Sequence, residues 1–264
     1  MILDEIVANK RREVAEAKVK VPVVVLEERA STVKPVRDFR TALRKEGISL
    51  IAEIKRSSPS RGDMLPNVDA VELASLYEQS GARALSVLTD NKFFKGSVDD
   101  LESAHQHVKI PCLRKEFIID EYQIIEARAY QADAILLIVR ILTDDEIKRY
   151  IALARRLGMA ALVETHTEDE IKRAIDCGAH IIGINNRDLD TLEMDVQTSM
   201  RLRRKVSGGY TLVSESGIYT REHVKMLEDG GIDAILVGES LLTSKNIQAK
   251  IRELLGHDDS SSRG

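Results

Sequence analysis

The sequence predicts an α/β fold, a (β/α)8 TIM barrel with an N-terminal helical extension. Eight short apolar segments recur along the chain, and their starts lie roughly 20 to 35 residues apart. Between them, apolar residues return every three or four positions, as in Val71–Tyr77 and Asp144–Ile151, which indicates helices. Short segments that are apolar on both faces are typical of strands in a parallel sheet. Eight strand–helix units favour a closed barrel. A doubly wound open sheet is the alternative, but no GxGxxG motif follows the first strand.

The first 48 residues precede the predicted barrel and form its helical extension. Leu3–Lys18 is predicted to be one helix, and Pro35–Leu43 a second, with a proline near its start. The extension either covers the mouth of the barrel or is simply a plug of the barrel. The barrel is predicted over residues 49–256, and residues 257–264 form a polar tail that we expect to be disordered.

The strands follow in order, and glycines mark the turns that lead into several of them. Gly81, Gly158, Gly178 and Gly230 stand where the preceding helices are expected to end. The segments Ala132–Leu136 and Ile232–Leu236 look like one unit used twice. The predicted strands are Leu50–Ile54, Ala84–Leu88, Ile110–Leu113, Ala134–Val139, Ala160–Val163, His180–Ile184, Thr211–Val213 and Ala234–Val237.

Composition limits the classes of function. The chain has 264 residues, 43% of them hydrophobic and 31% charged, as in an ordinary globular protein. A net charge of -4 argues against nucleic acid or an anionic membrane as the main partner. Cys112 and Cys177 form no metal-ligand pattern, which gives no support for a metal site and fits a reducing compartment, and we expect a cytoplasmic protein. We expect a monomer or a weak homodimer.

The first predicted strand carries two charges. Glu53 and Lys55 are two residues apart, so they point to the same side of the strand, while Leu50, Ala52 and Ile54 point to the other. Charges on the inner side of a strand are costly without partners or a ligand. One interpretation is a structural ion pair, and the other is an active-site strand that leads into a binding loop.

The ends of other strands are also rich in polar residues, and in a barrel these ends meet at one mouth. Individually, Glu164 could cap a helix, Lys115 could be a solvated charge, and Arg187 could pair with Asp188. Together they indicate a charged substrate. The residues at these ends are Arg114, Lys115 and Glu116; Glu164; Asn185, Asn186 and Arg187; Ser214, Glu215, Ser216 and Gly217; and Gly238, Glu239 and Ser240.

Small residues follow the seventh and eighth strands. Ser216, Gly217 and Gly238 let backbone N–H groups approach a ligand, and the loops after these two strands form the phosphate site common in such barrels. This pattern predicts a phosphorylated ligand but not a reaction.

The chain resembles the indole-3-glycerol-phosphate synthases across essentially the whole barrel. The first segment and the segment around Lys115 are the most specific. The matching segments are Ala52–Gly62, Ser86–Asp90, Phe93–Gly96, Leu113–Asp120, Leu162–Glu164, Ile182–Leu189, Glu215–Ile218 and Val237–Ser240.

The resemblance implies a phosphorylated, anthranilate-derived small-molecule substrate, 1-(2-carboxyphenylamino)-1-deoxyribulose 5-phosphate. Ring closure, decarboxylation and dehydration convert it into indole-3-glycerol phosphate, without metal or organic cofactor. The resemblance implies substrate or phosphate binding by Ser58, Phe117, Arg187, Ser216, Gly217, Gly238 and Glu239. Lys55 or Arg187 could bind the aromatic carboxylate.

The resemblance also assigns the catalytic roles. Lys115 would be the general acid of ring closure, with a pKa expected to be lowered by burial or neighbouring cations. Glu164 would be the base of dehydration, assisted by Lys55. Glu53, Asn185 and Glu215 would orient these groups.

One position departs from the family pattern, and one rival family remains. Glu116 stands where the family pattern has Asp after the lysine, and the extra methylene changes the reach of the side chain and not its charge. A phosphoribosylanthranilate isomerase would use a Cys and Asp pair, but Cys112 lies within the third predicted strand and not at the end of the first. A non-catalytic sugar-phosphate-binding barrel would not need both Lys115 and Glu164.

Overall fold

Eight parallel strands close into a barrel in the computed structural model, which describes residues 2–59, 62–64, 68–188, 191 and 193–257. Each strand pairs with its neighbours in the chain, and the first also pairs with the last. The predicted fold class is therefore confirmed. The part of the tail after His257 lies outside the described residues. The barrel strands are β1 Ser49–Ile54, β2 Ala84–Leu88, β3 Cys112–Lys115, β4 Ala134–Ile138, β5 Ala160–Thr165, β6 Ile181–Asn185, β7 Thr211–Glu215 and β8 Ala234–Val237.

Helices surround the barrel, and most begin at a side chain that caps the first turn. Thr143, for example, accepts a hydrogen bond from the N–H of Glu146, whose carboxylate returns to the Thr143 N–H. A short antiparallel pairing of Ser57–Ser58 with Gly62–Asp63 follows β1. The helices are α1 Ile2–Lys20, α2 Val23–Thr32, α3 Phe39–Leu43, α4 Ala70–Gln79, α5 Asn91–Phe94, α6 Val98–His107, α7 Glu121–Ala129, α8 Asp144–Arg156, α9 Glu168–Asp176, α10 Gln197–Arg203, α11 Arg221–Asp229, α12 Glu239–Leu242 and α13 Ile247–Leu255, with a 3-10 turn at Val139–Ile141.

The alternation of β1 separates two apolar layers. Leu50, Ala52 and Ile54 pack into the layer between the barrel and its helices. Ile51 belongs to the cluster that fills the interior of the barrel. Glu53 shares the side of Ile51 and is 5% exposed. The Glu53 carboxylate therefore lies inside the barrel, next to the apolar interior cluster that contains Ile51.

The N-terminal extension contacts the barrel at two places. Ile2, Leu3 and Ile6 of α1 line a cavity at the mouth. Phe39 and Leu43 of α3 are fully buried in the interior cluster with Ile51 and Leu113. The extension thus both covers the mouth and packs against the interior core.

The second predicted helix is wrong at its start. It begins at Phe39 and not near Pro35, because Asp38 is the capping residue and accepts a hydrogen bond from the Thr41 N–H at 2.9 Å.

The third strand is shifted from its predicted position. Pro111 has no N–H to donate, so the ladder begins at Cys112 and runs through Lys115. The repeated Asp units have a common role here. Asp133 accepts the N–H of Cys112 at 2.8 Å, and Asp233 accepts that of Leu212 at 2.8 Å, so each carboxylate satisfies the start of the strand before it.

Candidate active site

A cavity of about 460 Å³ opens at the carboxyl ends of the strands. All the predicted site residues with described side chains line it, and the side chain of Ser58 lies outside the described residues. Glu164, Asn185 and Glu215 stand on the strands themselves, because β5, β6 and β7 run further than their apolar segments predicted. The residues brought together are Glu53, Lys55, Lys115, Phe117, Glu164, Asn185, Arg187, Glu215, Ser216, Gly217, Gly238 and Glu239.

Lys115 lies at the centre of the polar wall. Its Nζ is 2.8 Å from Oε2 of Glu215 and 3.4 Å from Oε2 of Glu164. Glu164 and Glu215 are 4% and 1% exposed, so these two carboxyl groups are almost completely withdrawn from solvent, while the Lys115 side chain keeps some exposure to the cavity. One ammonium therefore faces two buried carboxyl groups, one from β5 and one from β7 on the opposite side of the barrel.

The charges of this cluster set its protonation. Burial alone would lower the pKa of Lys115, but Glu215, Glu164 and Glu53 outweigh burial and raise this pKa. The expectation of a lowered pKa was therefore wrong, because the neighbours of Lys115 are carboxylates and not cations. Lys115 is protonated throughout the neutral range.

The pKa values of the two carboxyl groups beside Lys115 are shifted in opposite directions. Burial raises the pKa of Glu215 to about 7, with Lys115 opposing and Glu164 and Glu53 adding to the rise. Burial also acts to raise the pKa of Glu164, but Lys115 and His166 outweigh it and lower this pKa. When the pKa values of two neighbouring carboxyl groups are separated in this way, the group with the higher pKa can hold a proton and the group with the lower pKa can act as a base.

Asn185 and His166 both contact the Oε1 atom of Glu164. Asn185 Nδ2 donates to its Oε1 at 3.1 Å, and His166 Nε2 lies 3.4 Å from the same oxygen. His166 Nδ1 lies 3.2 Å from Oε2 of Glu170. Burial acts to lower the pKa of His166, yet the hydrogen bond with Glu170 and the charge of Glu164 raise it. The imidazole therefore favours the ionised form of Glu164.

Glu53 and Lys55 form the ion pair that their spacing suggested. The Lys55 Nζ lies 2.9 Å from Oε1 of Glu53, at the edge of the cavity. A methyl group on Gly238 would come within 2.5 Å of that Oε1. Gly238 therefore makes room for the Glu53 carboxylate, a role that its sequence context did not indicate.

Gly183 has the same relation to Glu215. A Cβ on this residue, in the middle of β6, would lie 2.2 Å from Oε1 of Glu215. An interior glycine in a strand is a signal of close approach, so the sequence contained a clue to this residue.

The loop after β7 turns sharply towards the cavity. Ser216 and Gly217 have consecutive positive φ angles of 67° and 75°. Asn186 anchors the turn, since its Nδ2 donates to the Ser216 carbonyl and to Ser214 Oγ at 2.9 Å each. Its Oδ1 accepts from the N–H and the hydroxyl of Ser199. The side-chain amide of Asn186 therefore shapes this loop. The sequence pattern placed Asn186 at a strand end but did not predict this role.

Glu239, at the start of α12, contacts two side chains from the loops after β6 and β7. Tyr219 donates its hydroxyl to Oε1 of Glu239 at 2.7 Å, and Arg187 lies 3.7 Å from Oε2. Arg187 therefore has an ion pair across the loops. Tyr219 lines the cavity although the sequence pattern did not single it out.

Part of the cavity lining is apolar. The rings of Phe94 and Phe117 lie 6.0 Å apart between centroids, and Ile2, Leu3 and Ile6 of α1 complete the wall. A ligand with one aromatic and one charged end matches this division.

Cys112, the cysteine considered for the rival isomerase family, is not among the residues that line the cavity. Cys112 is fully buried outside the interior cluster, in the layer against the helices, and burial raises the pKa of its thiol. Among the described residues, no group of three or more His, Cys, Asp or Glu side chains is arranged to hold a metal ion. No helix in the described ranges is long and apolar enough to cross a membrane.

Comparisons with known proteins identify the family. The model of the indole-3-glycerol phosphate synthase family matches residues 3–254. The indole-3-glycerol phosphate synthase of Roseiflexus sp. (strain RS-1) is 48% identical over 97% of this chain and 98% of that protein. The synthase of Aquifex aeolicus is 47% identical over 88% and 90%, respectively. A solved structure, KGPDC from Streptococcus mutans, is 13% identical, covers 78% of this chain and 95% of that one, and shares the fold with a TM-score of 0.60. The chain therefore belongs to the indole-3-glycerol phosphate synthase family, the carboxy-lyases of tryptophan biosynthesis.

Proposed function

We propose that this chain closes, decarboxylates and dehydrates 1-(2-carboxyphenylamino)-1-deoxyribulose 5-phosphate, with Lys115 as the general acid of ring closure. The observation that carries the proposal is the Lys115 ammonium, held between Glu215 and Glu164 in the cavity. This arrangement keeps a proton donor charged and aimed by two carboxyl groups, as general acid catalysis requires.

In the first step, the ring carbon that bears the carboxylate attacks the ketone carbon. The Lys115 ammonium gives its proton to the ketone oxygen, which becomes a hydroxyl, while the nitrogen lone pair forms an iminium. The raised pKa of Lys115 does not prevent this transfer, because a developing alkoxide is more basic than the lysine amine that the transfer leaves behind. Glu215, with its high pKa, is suited to exchange protons with Lys115 between turnovers.

In the second and third steps, two bonds to carbon break. Carbon dioxide leaves the ring carbon, and the electrons of the broken C–C bond return to the ring and neutralise the iminium. Glu164 then removes a proton from the methylene carbon next to nitrogen, and Lys55 protonates the departing hydroxyl. Support for Glu164 as base comes from its lowered pKa and from Asn185, which orients it.

The two ends of the substrate match different walls of the cavity. The aromatic ring fits beside Phe94 and Phe117, with Arg187 or Lys55 near its carboxylate. Backbone N–H groups of Ser216, Gly217, Gly238 and Glu239 would bind the phosphate, with Ser58 adding a contact. The consecutive positive φ angles at residues 216 and 217 support this assignment, since such turns expose N–H groups to anions.

Indole fluorescence after mixing protein and substrate without added metal tests the activity directly. The chain contains no Trp, so product fluorescence is read without a tryptophan background. Lys115→Met is expected to abolish turnover while the affinity for inorganic phosphate stays close to that of the wild type. Lys172→Met, at an exposed position of α9, is the matched control and should behave as the wild type.

Two outcomes would contradict the proposal. Absence of product with the wild-type protein would remove the activity. Equal losses of turnover and of phosphate affinity in Lys115→Met would make Lys115 a binding residue.

A monomer or weak homodimer in the cytoplasm remains the setting that we propose for this reaction. Sedimentation over a range of protein concentrations measures the oligomeric state, and a tight oligomer of higher order would contradict it.

A further inference from the structure

Lys10 is a buried cation on the N-terminal extension, outside the catalytic cluster. It is 4% exposed, and its Nζ lies 2.6 Å from Glu13, 2.8 Å from Asp90 and 3.0 Å from Glu116. Glu13 is on the same helix, whereas Asp90 follows β2 and Glu116 follows β3. One ammonium thus joins α1 to two adjacent strand ends of the barrel.

The two carboxylates that Lys10 joins hold the backbone beneath the aromatic wall. Asp90 is fully buried, caps α5 and accepts the N–H of Phe93 at 2.8 Å, one residue before Phe94. Glu116 is next to Lys115 in the chain and accepts the N–H of Phe117 at 2.8 Å. The segments that carry Phe94 and Phe117 therefore depend on the placement of these two carboxylates.

Lys10 is the cation that offsets the charges of both Asp90 and Glu116. Glu116 Oε2 accepts the Thr89 hydroxyl at 2.9 Å, and Arg114 lies 3.8 Å from that oxygen. Arg114 is itself 2.6 Å from Glu126, so most of its charge is offset there. Among the described residues, Asp90 has no cation within 4.0 Å except Lys10. Without Lys10, the buried carboxylate of Asp90 would lose the one cation within 4.0 Å in the described part of the chain, and Glu116 would keep only Arg114 at 3.8 Å. Removing one partner from a buried ion pair is strongly unfavourable.

The charge of Lys10 is well secured. Burial acts to lower the pKa of its ammonium, but Glu116 and Asp90 outweigh burial and raise this pKa above its ordinary value. On the same face of α1, four positions earlier, Ile6 lines the cavity. The contact that secures Lys10 therefore also holds an apolar part of the cavity wall in place.

We propose that Lys10 is a positioning residue of the active site: by bridging Asp90 and Glu116 it fixes the aromatic wall formed by Phe94 and Phe117 and holds α1 across the cavity. This inference rests on the proposed function for its consequence on turnover. It also explains Glu116, the position where the chain departs from the Asp expected in its family, because the longer side chain reaches Lys10 and the Phe117 N–H with the same oxygen.

Lys10→Met in the full-length protein tests the proposal, with Lys18→Met as the matched control. Lys18 is on the same helix and also forms an ion pair, with Asp120 at 2.7 Å, but both side chains are partly exposed. We expect kcat/KM to fall at least tenfold in Lys10→Met, mainly through KM, and to stay within twofold in Lys18→Met. Lys10→Arg, which keeps the charge, should recover part of the loss.

Amide hydrogen exchange gives a readout that does not require turnover. The amides of Phe93 and Phe117 should exchange at least tenfold faster in Lys10→Met than in Lys18→Met, while amides in β5 and β6 keep their protection. A wild-type protein without activity would refute the proposed function alone, and these two amides would still decide the role of Lys10.

If Lys10→Met does not fold, the double variant Lys10→Met/Glu116→Gln removes one charge from each side and supports the same comparisons. Wild-type kcat/KM together with wild-type exchange at both amides in a folded variant would overturn the proposal. So would equal effects of Lys10→Met and Lys18→Met, because a general loosening of α1 would then explain them.

Discussion

Gly183→Ala adds one methyl group to the active site and should disable Lys115 without touching it. The new Cβ would lie 2.2 Å from Oε1 of Glu215, and Leu162 at 3.4 Å limits the room on the other side. Glu215 must therefore move, which breaks its 2.8 Å contact with Lys115. A hydrogen bond to a charged group contributes about 1.5–3 kcal/mol, which corresponds to a loss in kcat of about 10- to 150-fold.

Gly208→Ala is the matched control for this change. Its added Cβ has no atom within 4 Å, and its φ is not in the left-handed region. Single-turnover product fluorescence measures the chemical step, and urea unfolding measures stability. We expect Gly183→Ala to lose about 1–3 kcal/mol in the free energy of unfolding through overpacking. The control should leave both quantities within error.

The activity loss should also depend on Glu215. In a Glu215→Gln background, adding Gly183→Ala should reduce kcat much less than it does alone, because the contact has already been weakened. A folded Gly183→Ala protein with wild-type kcat would refute the reasoning, since Lys115 would then not need Glu215 in its present place. Fully additive losses would show that the methyl group acts elsewhere.

The remaining predictions concern pH and the loop after β7. The pKa of Glu215 is raised from 4.5 to about 7 in the folded protein, so the folded state holds an extra proton in this window and its contribution to stability is lost as pH rises from about 4.5 to 7. Glu215→Gln should flatten that fall in urea unfolding measured across the window, and an unchanged slope would contradict the assignment. Asn186→Ala should weaken inorganic phosphate binding at least tenfold and cost at least about 2 kcal/mol of stability, because it releases the Ser216 carbonyl and removes the acceptor of the buried Ser199 N–H. Calorimetric titration with phosphate measures the first effect, and retained affinity would show that the turn holds its shape without Asn186.

Periodicity was sufficient to predict the barrel because each strand is apolar on both faces. Ala84–Leu88 and Ala234–Val237 have the predicted bounds. Bounds failed where local chemistry overrides hydropathy: Pro111 delays β3, and Asp38 starts α3 after the proline. Strand ends that carry polar residues were underestimated, as at β5 and β7, because a ladder continues through Glu164 and Glu215 when the barrel supplies partners for them.

The sequence by itself determined the fold class, the family and the polar residues that meet at the mouth of the barrel, because strand periodicity and strand order place these residues at one edge. Only the tertiary structure decided which groups touch. Lys115 meets Glu164 and Glu215 across 49 and 100 positions of the chain, and those carboxylates reverse the expected direction of its pKa shift. Gly183 and Lys10 acquired their significance in the same way. Distances of a few ångströms between distant residues are set by the closure of the sheet and by the docking of α1, and neither is expressed in local sequence pattern.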